Sequence, residues 1–205
     1  MILLTEIQYH PPIRFFQQAA QADALLIEKQ ENYVKQSYRN RCHILTSQGL
    51  LALTVPVVKG NHKTPISQVE IDYGQNWTET HWRTIRSAYG SSPYYPYYAD
   101  LFREVYESRP KFLFDLNLQF LILYLRLLGL KQKLEFTEEY KPVYDQHVLD
   151  LRNLIHPKIQ ADNLDVKRYK QVFGKQFAPG LSILDLLFSQ GPEAQHYVRG
   201  SSPAN

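Results

Sequence analysis

Two short apolar runs, separated by a proline-led stretch, constrain the fold more than any other feature of the chain. Residues 2–5 and 24–28 are apolar and short, as buried strands are. Between them, Pro11 and Pro12 open a predicted helix over residues 13–22, because proline costs little where the first helical N–H groups lack partners. A strand, a helix and a strand in so short a span predict a βαβ unit with parallel strands and a right-handed crossover.

After the second run the pattern changes first to a β-hairpin and then to helices. Residues 42–46 and 50–58 are apolar with β-branched residues, and Gly49 stands between them in a predicted turn. Residues 69–73 alternate as one more short strand. Helices are predicted over residues 77–89, 97–107, 113–128, 145–154 and 182–188. The sequence therefore predicts an α+β fold: a βαβ start and a small mixed sheet with the added β-hairpin, covered by C-terminal helices.

A chain of 205 residues is long enough for one domain with a substantial core. We therefore interpret residues 1–198 as a single domain and residues 199–205 as a disordered tail. The net charge of +3 comes without a concentrated basic face, so we expect no nucleic-acid partner.

Cysteine usage and hydropathy indicate the compartment. Cys42 is the only cysteine, which excludes an intrachain disulfide and favours a reducing environment. The chain start lacks the basic segment of a signal peptide. The most apolar run, residues 112–130, is interrupted by charged and amide side chains, so we expect no transmembrane segment. We therefore expect a cytoplasmic protein.

Residues 28–42, here called the polar segment, carry the densest set of groups able to bind an anion. They include Tyr33, Lys35, Tyr38, Arg39, Asn40 and Arg41. A guanidinium pairs with phosphate or carboxylate through two hydrogen bonds, lysine supplies a point charge, and asparagine can bind a hydroxyl. The set suits a nucleotide-sugar or another phosphorylated ligand. It also fits a solvated basic turn in which one arginine pairs with Glu28 or Glu31.

His81 and Cys42 are the candidate reactive side chains. His81 lies on the predicted helix 77–89 and could act as a general base, or it could be half-buried beside Trp77 and hydrogen-bonded to a carbonyl group. Cys42 adjoins the basic residues that would lower the pKa of a thiol, but a lone cysteine at a strand start is more typical of a small core residue. The histidines show no metal-binding spacing and no phosphate-binding glycine motif occurs, so we expect neither a metal nor a cofactor.

Four ordered blocks of this sequence resemble the WbqC family, in the long form found in Bacteroidetes-type bacteria. The first block runs from Tyr33 through Lys35, Asn40 and Arg41 to residue 44. The others are residues 53–57 (Leu-Thr-Val-Pro-Val), residues 77–95, which contain Trp77, His81 and Tyr89, and residues 181–192 near the end of the chain. The resemblance therefore covers nearly the whole chain.

The resemblance implies a role in surface-polysaccharide biosynthesis. The family is associated with O-antigen and related gene clusters, which implies a cytoplasmic protein acting on an activated sugar, with acyl or aminoacyl transfer as one reaction type. The resemblance also implies which residues form the site: Tyr33, Lys35, Asn40, Arg41, Trp77, His81 and Tyr89. The family's opening pattern is matched at Tyr9 and Pro11, but its histidine and glutamine are replaced by Thr5 and Glu6.

Our first hypothesis is a transferase that acts on a nucleotide-linked or lipid-linked sugar. Lys35, Asn40 and Arg41 would hold its phosphate or hydroxyl groups. The binding site would be completed by Tyr9, Tyr33, Trp77 and Tyr89. His81 would be the base, assisted by Glu6 at the carboxyl end of the first strand, where open α/β sheets bind ligands.

Two other hypotheses belong to different classes. The tyrosines of residues 94–98 could form an exposed patch through which a non-catalytic scaffold protein docks onto a glycosyltransferase or another protein of polysaccharide biosynthesis. Alternatively, those tyrosines wedge two helices together. Nucleotidyl transfer is a weaker hypothesis, since the chain lacks the His-x-Gly-His turn of that class.

Overall fold

The computed structural model describes residues 1–58, 63–158, 167–174 and 176–200. The βαβ start is confirmed: strand β1 (Ile2–Glu6), helix α1 (Ile13–Ala19) and strand β2 (Ala24–Glu28) follow one another. The two strands are parallel, with Ile2 opposite Ala24 and Glu6 opposite Glu28. The carboxyl ends of β1 and β2 therefore meet at one edge of the sheet.

Two short strands complete a four-stranded parallel sheet of order β5-β2-β1-β6. Strand β5 (Lys133–Phe136) pairs with β2, and strand β6 (Val148–Asp150) pairs with β1. Neither was predicted, and the predicted helix over residues 145–154 is wrong. Each of these strands is only three or four residues long and is specified by a partner strand more than 100 residues away in sequence.

The hairpin consists of strands β3 (Arg41–Thr46) and β4 (Gly49–Thr54), which pair antiparallel. It is confirmed as a hairpin, and Gly49 adopts the positive φ of 103° that its turn requires. It forms a two-stranded sheet of its own and does not join the parallel one. The predicted strand over residues 69–73 is wrong, because only isolated bridges form there, between Val57 and Ile71 and between Glu70 and Phe112.

The helices that follow pack on this framework. Their bounds are α2 (Trp77–Tyr89), α3 (Tyr95–Glu107), α4 (Leu113–Leu127), α5 (Ile183–Gln190) and α6 (Ala194–Arg199). The first four of these were predicted, and α6 was not. Gly200 follows α6, and the rest of the predicted tail, residues 201–205, lies outside the described residues. Within the described ranges, no helix combines the length and apolar character that crossing a membrane requires.

One hydrophobic core connects the parallel sheet, the hairpin and the helices. It includes Leu3 of β1, Cys42 of β3, Phe120 of α4 and Leu187 of α5, all of which are buried. The observed architecture is therefore α+β, with a parallel sheet, a separate hairpin and C-terminal helices, as expected for its class.

Candidate functional site

The carboxyl ends of β1 and β2 carry two buried glutamates. Glu6 accepts hydrogen bonds from Gln8 Nε2 at 2.8 Å and from the backbone N–H of Asn153 at 2.9 Å. Glu28 forms an ion pair with Arg152, with 2.9 Å between Oε2 and Nη1. Both carboxylates are therefore satisfied by partners, as buried charges must be.

Arg39 links the polar segment to this edge of the sheet. Its Nε donates to Glu31 Oε1 at 2.7 Å, its Nη2 also bonds Glu31, and Nη2 donates to Asn153 Oδ1 at 2.9 Å. Burial raises the pKa of Glu31, and the bonds from Arg39 oppose that shift. The hypothesis that an arginine of this segment pairs with Glu31 is thus correct, but Arg39 is fully buried and not solvated.

Tyr33 and Lys35 line a cavity of about 500 Å³. Val57, Val69 and Glu70 form part of its opposite walls. The Tyr33 side chain is largely buried, which raises the pKa of its hydroxyl to about 12, while positive charge on Arg39 and Arg41 acts in the opposite direction. Lys35 is exposed. The structure therefore brings two of the predicted binding residues to one cavity.

Asn40 and Arg41 have a different environment, at the base of the hairpin. Asn40 Nδ2 donates to the carbonyl of Val55 at 2.9 Å, and the N–H of Val55 donates to the carbonyl of Asn40 at 2.8 Å. Arg41 Nε donates to Thr54 Oγ1 at 3.3 Å. Both side chains bond β4 or the residue that follows it. Arg41 acts on the cavity through its charge near Tyr33.

Tyr9 and His81 belong to a buried chain of hydrogen-bonded rings. Tyr9 Oη lies 2.8 Å from His81 Nδ1 and 2.6 Å from Tyr106 Oη. Tyr106 Oη lies 2.8 Å from His10 Nε2, and His10 Nδ1 bonds the hydroxyl of Tyr124. All five side chains are buried. The structure therefore confines these polar groups to the core, between the N-terminal turn and helices α2, α3 and α4.

Both histidines of this chain are uncharged at neutral pH. Burial lowers the pKa of His81 to about 4 and holds that of His10 well below its usual value, so both rings are neutral at pH 7. Each ring therefore has one nitrogen that donates and one that accepts.

The hydrogen bonds of this chain therefore join neutral groups. His10 uses both ring nitrogens, so it donates to one of the hydroxyls of Tyr106 and Tyr124 and accepts from the other.

Sequence reasoning missed three of these residues: His10, Tyr106 and Tyr124. The sequence contained a signal for Tyr106 and Tyr124. Each follows a phenylalanine by four residues, Phe102 on α3 and Phe120 on α4. Residues at this i, i+4 spacing lie on the same face of a helix. His10 had no such signal, since its buried position depends on a backbone turn with a φ of 43°.

Trp77 lies against His81, and Tyr89 lies elsewhere. The rings of Trp77 and His81 meet edge to face with centroids 5.1 Å apart. His81 is thus buried beside Trp77, as in the alternative to a solvent-facing base. Tyr89 is buried near the hairpin, where its hydroxyl accepts from the N–H of Leu45 at 3.4 Å. Burial raises its pKa well above the usual value, and the nearby carboxyl of Asp185 adds to the shift.

Cys42 is confirmed as a core residue. Its side chain is fully buried in β3, and burial raises the pKa of its thiol. A buried thiol of raised pKa stays protonated at neutral pH and is a poor nucleophile. Within the described part of the chain, no group of three His, Cys, Asp or Glu side chains is arranged to hold a metal ion.

The aromatic turn at the start of α3 is mostly packed against its neighbours. Of its four tyrosines only Tyr97 is exposed, at 74%. Tyr95 stacks on Trp82 with centroids 6.1 Å apart, and Tyr94 stacks on Tyr98. The scaffold hypothesis requires an exposed patch of tyrosines, and of the four only Tyr97 is exposed.

Comparison with known proteins places the chain in a family. The model of the WbqC-like protein family matches residues 7–156 and 145–197. The chain therefore belongs to the WbqC-like family, and the resemblance seen in the sequence is confirmed. The chain is similar to the uncharacterized protein Rv1507c of Mycobacterium tuberculosis (strain ATCC 25618 / H37Rv). The two are 31% identical over an alignment of 227 residues that covers 97% of each chain. No solved structure matches the chain.

Proposed function

We propose that this protein binds a nucleotide-linked or lipid-linked sugar and acts in the cytoplasm in the biosynthesis of a surface polysaccharide of the O-antigen type. The observation that carries the proposal is the cavity of about 500 Å³ lined by both Tyr33 and Lys35. Its volume falls in the range of about 300–1,000 Å³ that is usual for small-molecule sites.

The charges around this cavity favour a phosphorylated ligand. Lys35 supplies an exposed ammonium group, and Arg41 adds positive charge near the Tyr33 hydroxyl. The acidic wall residue, Glu70, is already paired with Lys111 at 3.0 Å. The balance at the cavity is therefore positive, which suits the phosphates of an activated sugar. Tyr33, Val57 and Val69 offer apolar surface for a base, a sugar face or a prenyl chain.

The reaction that we favour is acyl or aminoacyl transfer from an ester or thioester to the sugar. A sugar oxygen or nitrogen forms the new bond to the acyl carbon, the bond to the donor's leaving group breaks, and the sugar's proton passes to that leaving group. His81 and Glu6 have no place among the described residues that line the cavity. We therefore propose them as positioning residues: His81 fixes Tyr9, and Glu6 fixes Asn153 beside Arg39.

A thermal-shift screen tests the binding step. The ligands are UDP-, GDP-, dTDP- and CMP-sugars and, for the lipid-linked source, a sugar on a short prenyl diphosphate. A ligand at about 100 times its dissociation constant stabilises the protein by about 2.7 kcal/mol. We expect one class of these ligands to raise the melting temperature. The class that does so shows whether the sugar is linked to a nucleotide or to a lipid.

Two lysine variants test whether the ligand binds in this cavity. Lys35→Ala should abolish the thermal shift, whereas Lys131→Ala removes an equally exposed lysine that does not line the cavity and should leave it unchanged. A full shift in Lys35→Ala, or no shift with any ligand, would contradict the proposal.

A further inference from the structure

A second cavity, of about 490 Å³, opens at the carboxyl end of β5, beside Leu26 in the middle of β2. Its walls include Phe136, Glu138, Glu139, Lys141 and Tyr144. Ligands of open α/β sheets bind outside the carboxyl ends of parallel strands. The place of this cavity in the fold is therefore one where a ligand is expected. Among the described residues, none lines both this cavity and the cavity of Tyr33 and Lys35.

We propose that this second cavity binds an uncharged sugar. Two aromatic rings form part of its wall: Phe136 is 38% exposed, and Tyr144 is half-buried. An aromatic ring presents a flat apolar face to the C–H groups of a sugar, and the hydroxyl of Tyr144 can bond the sugar's polar edge.

A largely buried arginine side chain contacts the Tyr144 ring and holds it in place. The guanidinium of Arg152 lies over it, 5.3 Å from the ring centroid. Arg152 is itself fixed by the buried Glu28, at 2.9 Å, and by bonds to Asp150. A wall fixed by buried ion pairs loses little conformational freedom when a ligand binds, which favours affinity.

The charges of the second cavity select against phosphate. Lys141 pairs with Glu139 at 3.1 Å, so these two charges compensate each other. Glu138 forms no ion pair with any described residue. The net charge of the walls is negative, which repels a phosphate. A carboxylate accepts hydrogen bonds from hydroxyl groups, which an uncharged sugar has in abundance.

A continuous path of contacts connects the two cavities. Phe136 of the second cavity contacts Phe114, with centroids 5.9 Å apart, and Lys29 Nζ lies 5.7 Å from one ring and 5.9 Å from the other. Leu113, next to Phe114, donates from its N–H to the carbonyl of Val69, a wall residue of the first cavity. If the proposed function holds, on which this last step rests, the uncharged sugar is a further unit of the same glycan, since the second substrate of the proposed transfer is the acyl donor.

Saturation-transfer NMR with free sugars tests the inference. The probes are glucose, galactose, mannose and N-acetylglucosamine, with glucose 6-phosphate as the charged counterpart of glucose. We expect the protein to bind at least one uncharged sugar and to bind glucose 6-phosphate more weakly than glucose. Tyr144→Ala should weaken sugar binding about tenfold, since an aromatic contact and its buried area are lost.

Tyr140→Ala is the matched control. Tyr140 also lies over the Arg152 guanidinium, at 4.9 Å, but it does not line the cavity. Binding should persist in this variant. If Tyr144→Ala fails to fold, Glu138→Gln serves instead: it removes the exposed charge and should narrow the difference between glucose and glucose 6-phosphate.

Three outcomes would overturn the inference: no binding of any uncharged sugar, equal binding by Tyr144→Ala, or loss of binding in Tyr140→Ala. Thermal shifts with nucleotide-sugars, measured on the same samples, separate it from the proposed function. Sugar binding that depends on Tyr144, without a thermal shift from any nucleotide-linked or lipid-linked sugar, would support the inference about the second cavity and refute the proposed function.

Discussion

Side chains of one short segment have opposite environments, and burial decides which of them can meet a ligand. Arg39 and Lys35 are only four residues apart, yet Arg39 is fully buried against Glu31 while Lys35 is exposed at a cavity. Composition alone made both look like anion-binding groups. The exposed lysine keeps its charge available, whereas the charge of Arg39 is already compensated inside the protein.

Because His81 is buried and uncharged, we predict that the free energy of unfolding falls in acid. The folded protein takes up a proton on His81 only near pH 4, whereas the unfolded chain does so near pH 6.5. The unfolded state therefore binds more protons between these values, so the stability present above pH 6.5 is lost as the pH falls towards 4. Between pH 7 and pH 4.5 this difference amounts to about 2–3 kcal/mol.

Urea denaturation at pH 7 and pH 4.5 measures this effect. His81→Gln should lose less free energy of unfolding between the two pH values than the unchanged protein does, because it lacks the titrating ring. His147→Gln, which replaces an exposed histidine, should behave like the unchanged protein. Equal losses in His81→Gln and the unchanged protein would show that His81 is not a buried neutral ring.

Helix ends in this protein differ in how their backbone groups are satisfied. Ser182 caps α5, since its Oγ accepts from the N–H of Leu184 at 3.2 Å. Its own N–H donates to the carbonyl of His43 on β3, so this helix start also holds the hairpin edge. Asn76 precedes α2 and is a residue type that caps helices well, but its side chain makes no capping bond.

Ser182→Ala should therefore destabilise the protein by about 1 kcal/mol, through the lost cap. For a protein of this size that corresponds to a fall of about 2–4 °C in the melting temperature. Asn76→Ala should change the free energy of unfolding by less than about 0.5 kcal/mol. Differential scanning calorimetry measures the melting temperature of each variant and of the unchanged protein. A larger loss in Asn76→Ala would contradict the assignment of the caps.

The whole molecule is organised around one core that extends over most of the chain. Leu3 near the N-terminus and Val198 near the C-terminus belong to the same buried cluster as the tryptophans of α2. Helix α6 packs on α1, so the last described helix closes over the first. A shared core of this kind couples the stability of all the elements that contribute to it.

Unfolding should accordingly be a single transition. Far-UV circular dichroism, which follows the helices, and tryptophan fluorescence, which follows Trp77 and Trp82, should give coincident melting curves. Val198→Ala, which removes two buried methyl groups from α6, should lower both midpoints together. Two separate transitions, or a shift in only one curve, would contradict the interpretation of residues 1–198 as one domain.

The sequence by itself determined the elements whose pattern is local. The apolar runs of β1 and β2, the helical spacing of α2 and the turn glycine of the hairpin each depend on neighbouring residues, and all were predicted. It also indicated Tyr33 and Lys35, because a connecting segment between two apolar runs is where binding groups are often found.

Only the tertiary structure decided what depends on distant partners. Strands β5 and β6 are too short to be specified without β2 and β1, and both cavities are bounded by segments far apart in the chain. The ring chain of Tyr9 and His81 became buried and neutral because α3 and α4 close over it. Local periodicity cannot express such contacts, since burial and charge compensation are properties of the assembled core.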